Sequence, residues 1–161
     1  MKKAFTMIEL VFVIVVIGIL ATIAMPKLSA TRDDAALAKA KNTVASVRSA
    51  ISQEAQRRQL AGDYTLIKNV GGKIRLYEKP IFDFFDGNSS GQRVLEYPLV
   101  SCKDNKSKGC WVRYDDENGY GVYWYFSPVS SMGRAIFKVK NNRFVCSSSP
   151  SSSKICDYLE H

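Results

Sequence analysis

Glu9 is the residue whose setting most suggests chemistry. It is the only charged residue in a stretch that is otherwise almost unbroken in its apolar character, the twenty-one residues from Phe5 to Met25. A carboxylate near the centre of a membrane helix costs about 2.5–3.5 kcal/mol on insertion scales, and less near an end. A segment that only anchored or targeted the chain would gain nothing from that cost. In a medium of low dielectric a carboxylate is useful when it holds a cation.

Other reactive residue types are present, but none is arranged for catalysis. The chain has no Ser/His/Asp set, no phosphate-cradling glycine loop and no evident carboxylate pair, and its sole histidine is His161. It therefore reads as a non-enzyme without a cofactor. The four cysteines, Cys102, Cys110, Cys146 and Cys156, lack the close ligand pairs of a zinc site and suit disulfides in an oxidising compartment. Of three possible pairings, loop length favours Cys102–Cys110 with Cys146–Cys156, each contributing roughly 2.5–3 kcal/mol by chain entropy. Asp115, Asp116, Glu117 and Asn118 offer oxygen ligands but not the spacing of a calcium loop, so the expectation is an acidic turn and no metal. Lys103, Lys106 and Lys108 could meet phosphates, yet three lysines without a base-reading motif make nucleic acid the least favoured partner. The net charge of +8, from 23 basic against 15 acidic residues, is compatible with anionic lipid, nucleic acid or an acidic neighbour and selects none of them.

The element that must position Glu9 is a helix. Twenty-one residues rise roughly 30 Å, the thickness of a bilayer's hydrocarbon core. Lys2 and Lys3 precede the run and Pro26 follows it. Proline lacks an N–H and crowds the preceding turn, so a kink is expected there. A basic leader, a small residue, then Phe5-Thr6-Met7-Ile8-Glu9-Leu10 opening an apolar helix resembles the type IV pilin and type II secretion pseudopilin family. The resemblance is strong over about the first thirty residues, where an acid at a fixed offset inside an apolar run is a specific feature. It departs in one place, Ala4 standing where the family prefers glycine. An ordinary secretory signal would share the lysines and the apolar core, with Thr22-Ile23-Ala24 as a passable cleavage site, but would have no use for Glu9.

Beyond Pro26 the helical pattern continues as a narrow stripe, Leu37, Ala40, Val44, Val47 and Ile51, suited to packing on a sheet. Gly62-Asp63 is the expected stop, giving one helix of about 55 residues. Lys73–Tyr77 alternates like a short strand after Gly71-Gly72, and Ile81–Phe85 is aromatic enough to bury itself against the helix. Trp111–Tyr114 with Tyr120–Phe126, and Ala135–Lys140 with Arg143–Cys146, read as two hairpins; Ser147–Ser153 reads as irregular. The expected class is α+β: a long N-terminal helix, its first half membrane-spanning, packed on a four-stranded antiparallel sheet. The expected divisions are a leader (1–4), a membrane and filament-core helix (5–25), its amphipathic continuation (26–61) and a soluble periplasmic β domain (62–161).

The resemblance implies a function and a set of partners. A prepilin peptidase would cut between Ala4 and Phe5 and methylate the Phe5 amine. The subunit would wait in the bacterial inner membrane with its C-terminal domain periplasmic. It would then join like subunits on an assembly platform, Phe5 and Glu9 making the contact. The alternatives are a minor or competence pilin whose soluble domain binds DNA or a surface receptor, and an anchored periplasmic domain that never polymerises.

Overall fold

A computed structural model describes residues 5–116, 119–147 and 153–160, with the backbone alone described at 24–30 and 153. By compactness the chain divides into Met1–Ala35 and Ala36–His161. The first unit is helical from Met7, and its large apolar side chains between Phe5 and Leu20 are all exposed. The division falls where the helix acquires core contacts, Leu37 being the first helix residue named in the core.

Helix α1 is Met7–Leu60. It closes as a Schellman motif: the Asp63 N–H donates to the Arg58 carbonyl and the Gly62 N–H to the Gln59 carbonyl, with Gly62 at φ 77°. In the second unit its stripe of Leu37, Ala40, Val44, Val47 and Ile51 is buried, as the spacing predicts. The surface it meets belongs to a four-stranded antiparallel sheet in the order β3 (Cys110–Asp115), β4 (Gly121–Phe126), β5 (Arg134–Lys140) and β6 (Arg143–Cys146). Both expected hairpins are present. Asn141 and Asn142 turn the second with positive φ at both positions, the requirement of a type I′ turn. A two-stranded sheet, β1 (Pro80–Ile81) with β2 (Leu99–Val100), and a C-terminal helix α2 (Ser153–Glu160) complete the unit.

Alternation along the strands sends Trp111, Tyr123, Tyr125, Phe137 and Phe144 inward, where Phe82 joins them. Phe137 and Phe144 stack at 4.8 Å between ring centroids, and Phe82 and Tyr123 at 5.1 Å. Two disulfides, Cys102–Cys110 and Cys146–Cys156, tie the segment just after β2 to β3 and tie β6 to α2. One expectation is corrected. Lys73–Tyr77 is not a strand: Arg75 and Glu78 adopt positive φ, which breaks an extended run, and only the Arg75 N–H reaches β3, at the Arg113 carbonyl. Most of the serine-rich stretch Ser147–Ser153, expected to be irregular, lies outside the described residues, and at its end α2 begins and buries Ile155, Cys156 and Leu159 in the core.

The buried Tyr123 hydroxyl accepts from the Val70 N–H and donates to the Gly71 carbonyl, both at 2.9 Å, and so fixes residues 70–71 onto the sheet. Tyr123→Phe leaves both backbone groups buried and unpaired, a loss of about 1–3 kcal/mol in denaturant unfolding. Burial pushes the Tyr123 phenol far above its ordinary value, so the folded state keeps it neutral. The unfolded chain ionises it near pH 10, so its contribution is whole below that pH and declines as pH rises further. The stability of the Phe variant should therefore fall less steeply above pH 10, and parallel slopes would show that Tyr123 carries none of the dependence.

Candidate assembly segment

The start of α1 is built by two side chains. Thr6 precedes the first helical residue and Glu9 is the third residue within it. The Thr6 hydroxyl oxygen accepts from the Glu9 N–H at 3.3 Å, while Glu9 Oε2 accepts from the Thr6 N–H and from its hydroxyl, each at 2.8 Å. This is a capping box, in which two helix-end donors are satisfied reciprocally and the carboxylate lies at the positive end of the helix dipole. The signal was in the sequence, as Thr-x-x-Glu ahead of an apolar run, but reading Glu9 solely as a partner for another chain overlooked it. In the lone chain Glu9 already has a use.

The cap sits on a surface that calls for cover. Phe5, Met7, Ile8 and Phe12 are between 68 and 84% exposed, and exposure of large apolar side chains continues to Ile23. A contiguous apolar surface of this extent marks a membrane or protein contact. Among the described residues no helix is long and apolar enough to cross a membrane. The described side chains stop at Ile23, short of the run's end at Met25. The backbone is helical through Pro26, whose side chain, like Ala4, lies outside the described residues.

The other candidate groups are occupied by the fold. Asp115 holds the buried Arg113 guanidinium with both oxygens, at 2.8 and 3.0 Å, and Arg113 donates onward to the Gly72 carbonyl. Asp116 accepts from the Tyr120 N–H and closes the β3–β4 turn. Glu117 and Asn118 lie outside the described residues, and no metal-binding group occurs among those described. In the first disulfide loop Asp104 stands among the lysines, its carboxyl held below the usual range first by the Ser107 hydroxyl and then by the Lys106 N–H. Lys108 donates to the Ser130 hydroxyl. The helix carries its own charged knot, in which the buried Glu54 receives Arg57 and Arg58, and Arg58 continues to Asp86. The functional candidates thus do not gather in one place.

Residues 1–25 match the prokaryotic N-terminal methylation motif, the signature of type IV pilins and pseudopilins. No curated protein and no solved structure matches the chain.

Proposed function

We propose that this chain is a structural subunit of a type II secretion pseudopilus or a type IV pilus-like filament. The observation that carries the reading is a Thr6–Glu9 capping box opening an exposed apolar helix within a matched methylation motif. A prepilin peptidase cuts after Ala4, and Phe5 becomes the new, methylated terminus. Before assembly the run 5–25 spans the inner membrane, Lys2 and Lys3 keeping its start on the cytoplasmic side and the C-terminal domain lying in the periplasm. The disulfides suit that compartment. Pro26 bends the segment where apolar run gives way to amphipathic helix. On the assembly platform Glu9 receives the Phe5 ammonium of a neighbouring subunit, and the apolar helices bundle in the filament core.

Co-expression with a prepilin peptidase tests the first step. Intact mass and N-terminal sequencing should find a chain starting at Phe5 and heavier by one methyl group. A start at Met25 would make the segment an ordinary cleaved signal and end the filament reading.

A further inference from the structure

The outer face of the sheet carries an ordered arrangement of rings and guanidinium groups. Side chains at alternate positions point away from the core: Tyr114 on β3, Trp124 and Phe126 on β4, Arg134 and Lys138 on β5. Tyr114 and Trp124, diagonal neighbours across the register, lie 4.4 Å apart between ring centroids. The Arg134 guanidinium sits 4.1 Å over the Trp124 ring, and the Arg75 guanidinium 5.5 Å over the Tyr114 ring. The result is a stack of cation, ring, ring and cation running across three strands. Arg75 is held at its end by its own backbone, whose N–H donates to the Arg113 carbonyl on the edge of β3.

Neither guanidinium has a carboxylate partner among the described residues, in contrast to Arg48, Arg57, Arg58 and Arg113. No acidic residue occupies an outward position of the four strands, whereas Lys138 and Lys140 do. Beyond Lys138 a groove lined by Asp116, Tyr120, Lys140 and Val145 continues the face, the Asp116 carboxylate accepting from the Tyr120 N–H. A guanidinium laid on a ring keeps its N–H edge free in a fixed plane, the geometry that grips a phosphate bidentately. A ring or guanidinium plane at a surface also offers a stacking platform for a flat base.

We propose that this outer face binds single-stranded nucleic acid, with Arg75, Arg134 and Lys138 taking phosphates and Phe126 and the outward faces of the two guanidinium planes taking bases. Anionic glycans offer the charge without the flat rings. The major groove of duplex DNA admits a helix or a two-stranded ribbon, not the face of a four-stranded sheet. The site lies wholly within residues 36–161 and does not depend on the filament reading.

The test uses the full chain in neutral detergent micelles with a fluorescent oligothymidylate, read by anisotropy at low and moderate salt. Saturable binding that weakens with salt is expected, with heparin and a duplex of equal length competing poorly. Trp124→Leu removes the ring on which the Arg134 guanidinium lies, and should weaken binding roughly threefold or more. Arg134→Lys keeps the charge and loses the plane, and should weaken it roughly threefold. Arg134 is exposed, so this variant decides the matter if Trp124→Leu fails to fold. A triple alanine change at Lys103, Lys106 and Lys108 should cost less than about twofold. Absence of saturable binding would overturn the proposal. So would preference for heparin or duplex, unchanged affinity in Arg134→Lys, or loss confined to the triple lysine variant.

Discussion

Glu9→Ala should leave membrane-inserted protein undiminished while lowering filament recovery by two to three orders of magnitude. Alanine removes the cost of placing a carboxylate in hydrocarbon, so insertion has no reason to fall. On the proposed assembly, what is lost is the partner of the Phe5 ammonium from a neighbouring subunit, and stranding one member of a buried pair costs about 3–5 kcal/mol. The capping box complicates the inference, since Glu9 also closes its own helix through Thr6. Losing a cap typically costs about 1 kcal/mol, too little for the predicted defect. Glu9→Gln separates the two roles, because glutamine serves at the same position of a capping box but carries no charge. If pairing governs assembly, the Gln variant should fail nearly as badly as Ala, and Thr6→Val, which keeps the carboxylate, should fail only mildly. Cross-linked ladders and sheared filaments, normalised to inserted protein, give the measurement. A Gln variant that assembles normally would assign Glu9 to capping alone, and reduced insertion would assign it to targeting or processing.

Features legible in the sequence were those whose signal is local or periodic. The Leu37–Ile51 stripe follows from helical spacing, the Asn141-Asn142 turn from two residues that tolerate positive φ, and the helix stop from Gly62. Lys73–Tyr77 misleads because alternation is necessary but not sufficient for a strand, which also needs a partner edge along its length. This segment makes one main-chain bond to β3. Helix α2 was hidden for the opposite reason. Eight residues make no stable helix alone. The Cys146–Cys156 bridge and the burial of Ile155 and Leu159 hold it in place, and both are tertiary facts. The ring and guanidinium stack on the outer face depends on strand register, which places Trp124 diagonal to both Tyr114 and Arg134 although ten residues separate it from each in the chain.

Gly71 is where a single methyl group should do most harm to the unit 36–161. The segment from Ile67 to Gly72 is irregular yet mostly buried, Lys68 being exposed and Gly72 half-buried, so its buried backbone groups must be satisfied one by one. The Ile67 N–H donates to the Asn142 side chain, the Val70 N–H to the Tyr123 hydroxyl, the Gly71 N–H to the Asn69 side chain and the Gly72 N–H to the Asp83 carboxylate. Threading those bonds brings the chain so close to residues 83–84 that a Cβ on Gly71 would lie 2.1 Å from Asp83 Oδ1 and 2.7 Å from the Phe84 nitrogen. The backbone there is at φ +82°, a conformation that costs an L-residue about 1–2 kcal/mol by itself. Overpacking adds typically 1–3 kcal/mol, and Asp83 cannot swing away without releasing the Gly72 and Phe84 N–H groups it accepts from. Gly71→Ala should therefore destabilise the unit 36–161 by about 2–5 kcal/mol in denaturant unfolding. Gly62→Ala supplies the control, with φ +77° and nothing within 4 Å of the added carbon, so only the backbone cost of about 1–2 kcal/mol applies. Equal losses in the two variants would mean that Asp83 yields freely, and that the 67–72 segment is not held in the way its hydrogen bonds describe.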